Sequence, residues 1–127
     1  MIQFNRYSEA KEYFAEVKRG QTDPAAAESR LKSLLAAQPE SASLNFALGN
    51  LYAGQQRWPD AQLAYFNAHT ADPANPDYLF NLAASLDHMH LPKLALEYYQ
   101  SALAASGGRR AGFDANQVRA RVLELQR

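Results

Sequence analysis

The side chains best suited to acid–base or metal chemistry are Asp87, His88 and His90, which are close neighbours in the chain. Carboxylate and imidazole groups bind Zn²⁺ and carry protons in many enzymes. This cluster falls at a predicted helix end just before Pro92, where both imidazoles would be loosely held and would lack further ligands. A helix C-terminus also favours partial positive charge, which is sufficient reason for histidines there. We therefore expect no metal site.

No other group of residues predicts catalysis. His69 is isolated on a predicted helix, and no serine has a base and a carboxylate at a suitable spacing. Gly107-Gly108 follows a predicted helix, whereas a phosphate-binding loop precedes one. The chain contains no cysteine, which excludes disulfides, thiolate metal sites and thiol nucleophiles. The sequence predicts neither an enzyme nor a cofactor.

The formal charges sum to zero, so no overall field would attract nucleic acid or an anionic membrane. Residues 33–108 carry six carboxylates against Arg57 and Lys93, whereas residues 109–127 carry five arginines against two carboxylates. We interpret these arginines as the solvated face of a last helix. Residues 1–7 lack the apolar run of a signal peptide or membrane span, so we expect no membrane insertion by this chain.

The elements that position these residues follow from a repeat. Ala27, Ala61 and Ala95 are spaced 34 residues apart, and other small, bulky and proline positions recur with the same period. A fixed period of this length is typical of stacked helical units, each of which buries its apolar face against a neighbour. The sequence therefore predicts an all-α array that works as a binding scaffold.

Helix ends are predicted by proline and by capping residues. All six prolines fall at junctions between elements, and no segment alternates as a strand would. Asp23 and Asp114 are predicted N-caps, and Gly49 predicts a close approach of the paired helix. The predicted helices span about residues 8–19, 24–37, 42–55, 58–71, 76–89, 92–105 and 114–126.

The repeated columns resemble the tetratricopeptide repeat family. The resemblance implies a single domain over residues 1–127, a right-handed α-solenoid of three antiparallel helix pairs plus a capping helix. Its units would span residues 8–41, 42–75 and 76–109, with the cap at about 114–126, and the first unit departs most from the pattern. The residues that carry the match in the second and third units are Leu48, Gly49, Tyr52, Ala61, Tyr65, Ala68, Pro73, Leu82, Ala83, Leu86, Ala95, Tyr99 and Ala102.

In this family the first helix of each unit lines a concave groove that holds an extended peptide or a helix of a partner protein. The resemblance therefore implies a protein partner and a non-catalytic scaffold. In the first unit the groove would present Glu9, Glu12 and Glu16, an acidic ledge that would select basic partners. In the other units it would present Ser43, Phe46, Asn50, Asp77, Phe80, Asn81, Ala84 and His88.

Asn50 and Asn81 resemble the two asparagines with which some family members hold a peptide backbone. An asparagine amide can donate to a peptide C=O and accept from its N–H. The cations that such members place around a terminal carboxylate are missing, since Phe46, Ala111 and Ala115 occupy those positions. We expect backbone binding without capture of a C-terminal carboxylate, although Arg109 and Arg110 are near.

Several alternatives stay open on the sequence alone. Asn50 could face water or fix a turn, Phe46 and Phe80 could be buried between repeats, and the glutamates could be a solvated stripe. The second functional hypothesis is a structural or chaperone factor that acts through convex or end surfaces. Its acidic middle and basic end could promote head-to-tail self-association, so a monomer and a weak homo-oligomer are both considered.

Short sequence segments around the repeats also resemble those in the C-terminal repeat domains of bacterial pilus-biogenesis and secretion accessory proteins. The segments that carry this likeness are Asp23-Pro24-Ala25, Asn75-Pro76-Asp77-Tyr78 and Phe113-Asp114. The resemblance implies a soluble fragment of a membrane-anchored protein. The compartment is left open between bacterial cytoplasm and periplasm.

Overall fold

The computed structural model describes residues 23–127, which form six α-helices and no strand. The predicted helix at 8–19 and the ledge of Glu9, Glu12 and Glu16 lie outside the described residues. The six helices end within one residue of the predicted positions. Their bounds are α1 Pro24–Ala37, α2 Ala42–Gly54, α3 Trp58–Ala71, α4 Pro76–His88, α5 Pro92–Ser106 and α6 Ala115–Leu125.

The helix starts follow the local chemistry of the sequence. The carboxylate of Asp23 accepts the Ala26 N–H at 3.2 Å, and that of Asp114 accepts the Asn116 N–H at 2.9 Å, so both predicted N-caps are confirmed. Ser41 and Asn75 cap α2 and α4 in the same way. Arg57 and Leu91, which precede α3 and α5, provide no side-chain cap, but proline occupies one of the first two positions of each helix.

Each helix packs against the next in the chain, most extensively within the pairs α2–α3 and α4–α5. The predicted column of Ala27, Ala61 and Ala95 is completely buried at these crossings. A Cβ added to Gly49 would lie 2.5 Å from the Tyr65 ring, so the predicted close approach is confirmed. Val118 and Val122 of α6 are buried against the preceding pair, so this helix covers that end of the core.

The turns inside the two complete pairs share an unusual backbone conformation. Gln56 and His90, which are equivalent in the repeat, both have φ of 59°. Glycine adopts this left-handed conformation readily, whereas other residues do so at a cost. Within residues 23–127, no helix is long and apolar enough to cross a membrane.

Candidate functional site

We define the inner face as the surface formed by α2 and α4, the first helices of the second and third units, together with the capping helix α6. Residues of α4, α5 and α6 line two cavities where α6 adjoins the last helix pair, of about 540 Å³ and about 410 Å³. The larger cavity, here called the α4–α6 cavity, opens between Ala84 and His88 on one side and Arg121 and Leu125 on the other. The smaller one is lined by Phe80, Phe113 and Val118, among others. Three of the predicted groove residues therefore border cavities.

The two phenylalanines of the predicted groove are half-buried in aromatic clusters. The Phe46 ring lies 5.6 Å from that of Tyr65 and 4.9 Å from that of Tyr78, centroid to centroid. Phe80 is related in the same way to Tyr99, at 6.0 Å, and stacks on Phe113 at 4.9 Å. Each phenylalanine thus joins one repeat to the next, and Phe80 also presents part of its ring to the smaller cavity.

The two asparagines differ in their surroundings. Oδ1 of Asn50 accepts a hydrogen bond from the Tyr65 hydroxyl at 2.6 Å, which fixes the amide against α3. Nδ2 of Asn81 donates to the backbone oxygen of Asp77 at 2.8 Å, one turn earlier on α4. Asn81 makes no hydrogen bond through Oδ1 to any other part of residues 23–127, so this oxygen remains able to accept from a ligand. Of the two, Asn81 is the better placed to read a peptide backbone.

Two predicted groove residues near helix starts, Ser43 and Asp77, make contacts within the protein. The Ser43 hydroxyl lies 3.3 Å from that of Ser41, the N-cap of α2. The carboxylate of Asp77 accepts the Gly112 N–H at 2.8 Å and so holds the loop that leads into α6. Arg109, which lies near the predicted groove, forms an ion pair with Asp72 at 2.9 Å.

The cluster considered for metal chemistry does not converge. His88 stacks flat on Trp58, with ring centroids 3.9 Å apart, and Asp87 points instead to α5 and α6. His90 is exposed in the turn before α5. No group of three or more potential ligands comes together anywhere in residues 23–127.

Asp87 forms the polar centre of the α4–α6 cavity. Its carboxylate accepts from Nε and Nη2 of Arg121 at 2.8 Å and 2.6 Å, and from the Tyr99 hydroxyl at 3.0 Å. The Arg121 guanidinium lowers the pKa of Asp87, with a smaller contribution from the Tyr99 hydrogen bond and despite partial burial of the carboxylate. Burial in turn raises the pKa of Tyr99. Asp87 is therefore ionised, and its charge is compensated within the protein.

Sequence reasoning missed the contribution of α6 to this site. Arg121 lies 34 residues after Asp87, so the repeat period places it at the equivalent position of the next inner helix. Residues at equivalent positions of adjacent stacked helices are neighbours, which is the signal that could have identified the pair. The stacking of His88 on Trp58 does not follow the repeat period, so the sequence contains no spacing that predicts it.

Comparison with proteins of known structure identifies the fold. The chain matches no family model, and a search of curated proteins gives no match either. PcrH, known from Pseudomonas aeruginosa, superposes in its complex with the chaperone-binding region of PopD with a TM-score of 0.81 at 16% identity. That match covers 98% of this chain and 92% of PcrH.

Two further structures agree. The type III secretion chaperone SycD of Yersinia enterocolitica, in complex with a peptide of the translocator YopD, matches with a TM-score of 0.81 at 14% identity. The match covers 92% of this chain and 91% of SycD. The TPR2B domain of yeast Sti1 in complex with pHsp70 matches with a TM-score of 0.78 at 18% identity, over 94% and 97% of the two chains. The chain thus has the tetratricopeptide-repeat fold that the sequence columns predicted.

Proposed function

We propose that this chain is a non-catalytic interaction scaffold whose inner face binds a peptide or helical segment of a partner protein. The observation that carries the proposal is the pair of cavities that Phe80, Ala84 and His88 border between α4 and α6. Concave sites with apolar walls and a few polar groups are the usual places where proteins bind ligands. The proposed site lies on the third unit and the cap of a single domain that spans residues 1–127.

The chemistry of the site fits a peptide better than a small charged ligand. Ala84, Pro92 and Leu125 offer apolar surface, while Oδ1 of Asn81 can accept from a peptide N–H. The charges of Asp87 and Arg121 neutralise each other. We expect roughly micromolar affinity for a single groove of this kind, which corresponds to about −8 kcal/mol.

The binding mode does not include capture of a terminal carboxylate. Phe46 occupies one position where a cation would be needed, and it is packed between Tyr65 and Tyr78. Arg109 is held by Asp72. We therefore propose that the partner segment is recognised along its length, as an internal peptide or a helix. The acidic ledge of Glu9, Glu12 and Glu16 remains a prediction about the sign of the partner's charge.

The structural neighbours support a role in the handling of partner proteins. PcrH and SycD were each solved with a segment of a partner, PopD and YopD, and Sti1 TPR2B with pHsp70. We propose that this chain likewise presents or protects a segment of a secreted or assembling protein in a bacterial secretion or pilus system. We propose no catalytic step and no cofactor.

Head-to-tail self-association gains no support from the charge distribution. Arg109 pairs with Asp72 and Arg121 with Asp87, so two of the arginines at the basic end are already neutralised by carboxylates of the acidic middle. Charges satisfied within one molecule contribute little to attraction between molecules.

The experiment uses peptides selected from a randomised display library against the wild-type chain. Binding is then measured by fluorescence anisotropy with Ala84→Trp, which fills the α4–α6 cavity, and with Asn81→Ala. We expect Ala84→Trp to weaken binding at least about tenfold, and Asn81→Ala to weaken it by a smaller factor. Ala104→Trp, at an exposed position of α5, is the matched control. Equal affinity for Ala84→Trp and wild type would contradict the proposal.

A further inference from the structure

Two imidazoles border the α4–α6 cavity. His88 ends α4, His90 lies in the turn that follows, and both line the cavity. The His88 ring stacks on Trp58 through its flat face, while its two nitrogens lie on the edge of the ring. Neither imidazole forms a hydrogen bond or an ion pair with another group in residues 23–127. The ring nitrogens of both histidines are therefore available to a ligand.

The arginine of the same cavity is already occupied by carboxylates. Nε and Nη2 of Arg121 donate to Asp87, and Nη1 donates to Glu124 at 3.1 Å. The Arg121 guanidinium lowers the pKa of Asp87, so this carboxylate stays ionised well below neutral pH. Two carboxylates against one guanidinium give these groups a net charge of −1. While the imidazoles are neutral, a ligand carboxylate would meet net negative charge.

The neighbouring helices α3 and α5 do not alter this balance. Arg57 and Asp60, at the start of α3, form an ion pair at 3.0 Å, and Arg57 also pairs with Glu28. Lys93 of α5 is exposed and does not line the cavity. Tyr99 of α5 does line it, but burial raises the pKa of this phenol, which therefore stays neutral. The charge of the cavity thus changes through its imidazoles when the pH falls below neutral.

Imidazole is the side chain that changes charge between about pH 5 and pH 8. Protonation of His88 and His90 adds two positive charges, which changes the sum at the cavity from −1 to +1. Each protonated ring also donates through both nitrogens, and such charge-assisted hydrogen bonds to carboxylates are short and strong.

We infer that the α4–α6 cavity binds the partner segment through an aspartate or glutamate side chain, and that this binding strengthens as the pH falls from 8.0 to 5.5. Since it names the chemistry that the site recognises, this inference rests on the proposed function. The ligand carboxylate stays ionised over the whole range, because its ordinary pKa is about 4.

The expected effect is moderate. Both imidazoles are exposed, so water screens each ion pair that they form with the ligand. Two such pairs should make binding about fivefold tighter at pH 5.5 than at pH 8.0.

The first test compares peptides selected from a randomised display library at the two pH values. We expect aspartate and glutamate to be enriched in the peptides selected at pH 5.5. These peptides are synthesised with an amidated C-terminus, so that every carboxylate belongs to a side chain. Fluorescence anisotropy should show the fivefold gain for wild type, and no gain for the same peptide with asparagine or glutamine in place of its acidic residues. A selection at pH 5.5 without acidic enrichment would overturn the inference.

The double variant His88→Gln with His90→Gln keeps polar side chains but removes the titrating groups. It should bind the acidic peptide with the same affinity at both pH values. His69→Gln is the matched control, because His69 lies against Tyr98 and does not line the cavity, so this variant should keep the pH dependence of wild type. Circular dichroism at both pH values confirms the fold of each variant. A double variant with the full pH dependence of wild type would refute the role of the two histidines.

The second test measures the protons directly. Binding that strengthens on protonation must take up protons, and a fivefold gain over 2.5 pH units corresponds to roughly 0.3 proton per peptide. Titration calorimetry at pH 6.5 in two buffers of different ionisation enthalpy measures this uptake. We expect it for wild type and not for the double variant. A purely structural effect of the substitutions would weaken binding without changing the proton count. No uptake by wild type would overturn the inference.

The failure of this inference is distinguishable from the failure of the proposed function. Peptide binding that Ala84→Trp weakens, but that does not change with pH in wild type, would overturn the inference alone. A chain that selects no peptide at either pH would overturn both.

Discussion

Asp87 and Arg121 lie one repeat period apart and form a two-point ion pair, with Nε–Oδ2 and Nη2–Oδ1 distances of 2.8 Å and 2.6 Å. The pair ties α6 to α4 at the α4–α6 cavity, and the Tyr99 hydroxyl completes the set of donors to the carboxylate. A capping helix with only two buried valines relies on such polar contacts to hold its position. The same contact therefore stabilises the end of the array and shapes the proposed binding site.

Arg121→Met should lower the free energy of unfolding by about 1–2 kcal/mol. The change keeps most of the apolar length of the side chain but leaves the mostly buried Asp87 carboxylate with Tyr99 as its main donor. Urea titration followed by circular dichroism measures the difference. Arg119→Met is the control, because within residues 23–127 the Arg119 side chain donates to the neutral Asn116 of its own helix and forms no ion pair. Equal losses of unfolding free energy in the two variants would show that the ion pair with Asp87 does not stabilise the protein.

The pH dependence of stability should be dominated by carboxylates at low pH. Hydrogen bonds from Lys32, Arg57 and Tyr52 lower the pKa of Glu28 to about 2, and partial burial opposes this shift. A carboxylate with a depressed folded pKa contributes stability that is complete above its unfolded pKa, about 4.3, and is lost as pH falls toward the folded value.

We therefore expect the stability of the wild-type chain to fall steeply between about pH 5 and pH 2. Glu28→Gln should be less stable than wild type at pH 7, and its stability should fall less over the acid range. Thermal unfolding at a series of pH values measures both effects. Parallel curves for the two proteins would contradict the assignment.

Gly49→Ala should destabilise the second unit by roughly 1–3 kcal/mol, because the new methyl would overlap the Tyr65 ring. The ring cannot easily move away, since its hydroxyl is bonded to Asn50. Gly54→Ala is a matched control in the same helix, where a Cβ meets nothing within 4 Å. It should be neutral or stabilising by up to about 1 kcal/mol. Urea titration measures the free energy of unfolding of both variants. A Gly49→Ala variant as stable as Gly54→Ala would contradict the predicted overlap with the Tyr65 ring.

Gln56→Gly should stabilise the chain by roughly 0.5–1 kcal/mol, since Gln56 has φ of 59° and glycine relieves the left-handed strain. His90→Gly should act similarly in the next unit, where φ has the same value. Gln55→Gly provides the contrast: φ of Gln55 is −96°, so glycine relieves no strain there. Its entropy cost and the loss of the hydrogen bond from Arg57 to the Gln55 side chain should both lower stability. A loss of stability in Gln56→Gly would refute this account of the turn.

Much of the fold follows from local signals and from the period. Helix starts at Asp23, Pro92 and Asp114 depend on residues within one turn, which is why they could be predicted from the sequence. The helix crossings at Ala61 and Ala95 recur at a fixed spacing, so the position of one crossing in the sequence predicts the position of the other.

The site was less predictable because side-chain partners depend on rotamers and on the packing of separate helices. Asn50 turns toward Tyr65 across the α2–α3 crossing, and Asp77 holds the loop at Gly112, 35 residues later. The residues next to these positions in the sequence do not predict either contact. The groove positions on α4 follow from helical periodicity, whereas the walls supplied by α6 require the three-dimensional stack.

We propose that a partner segment binds to the inner face between α4 and α6, and this binding can be observed directly. Its most direct test is an amide NMR titration of the wild-type chain with a library-selected peptide, followed residue by residue. We predict that the largest shifts cluster around Phe80, Ala84, His88 and Arg121. Shifts confined to the exposed side of α3 around Leu63 and Phe66, with the inner face unchanged, would contradict this proposal.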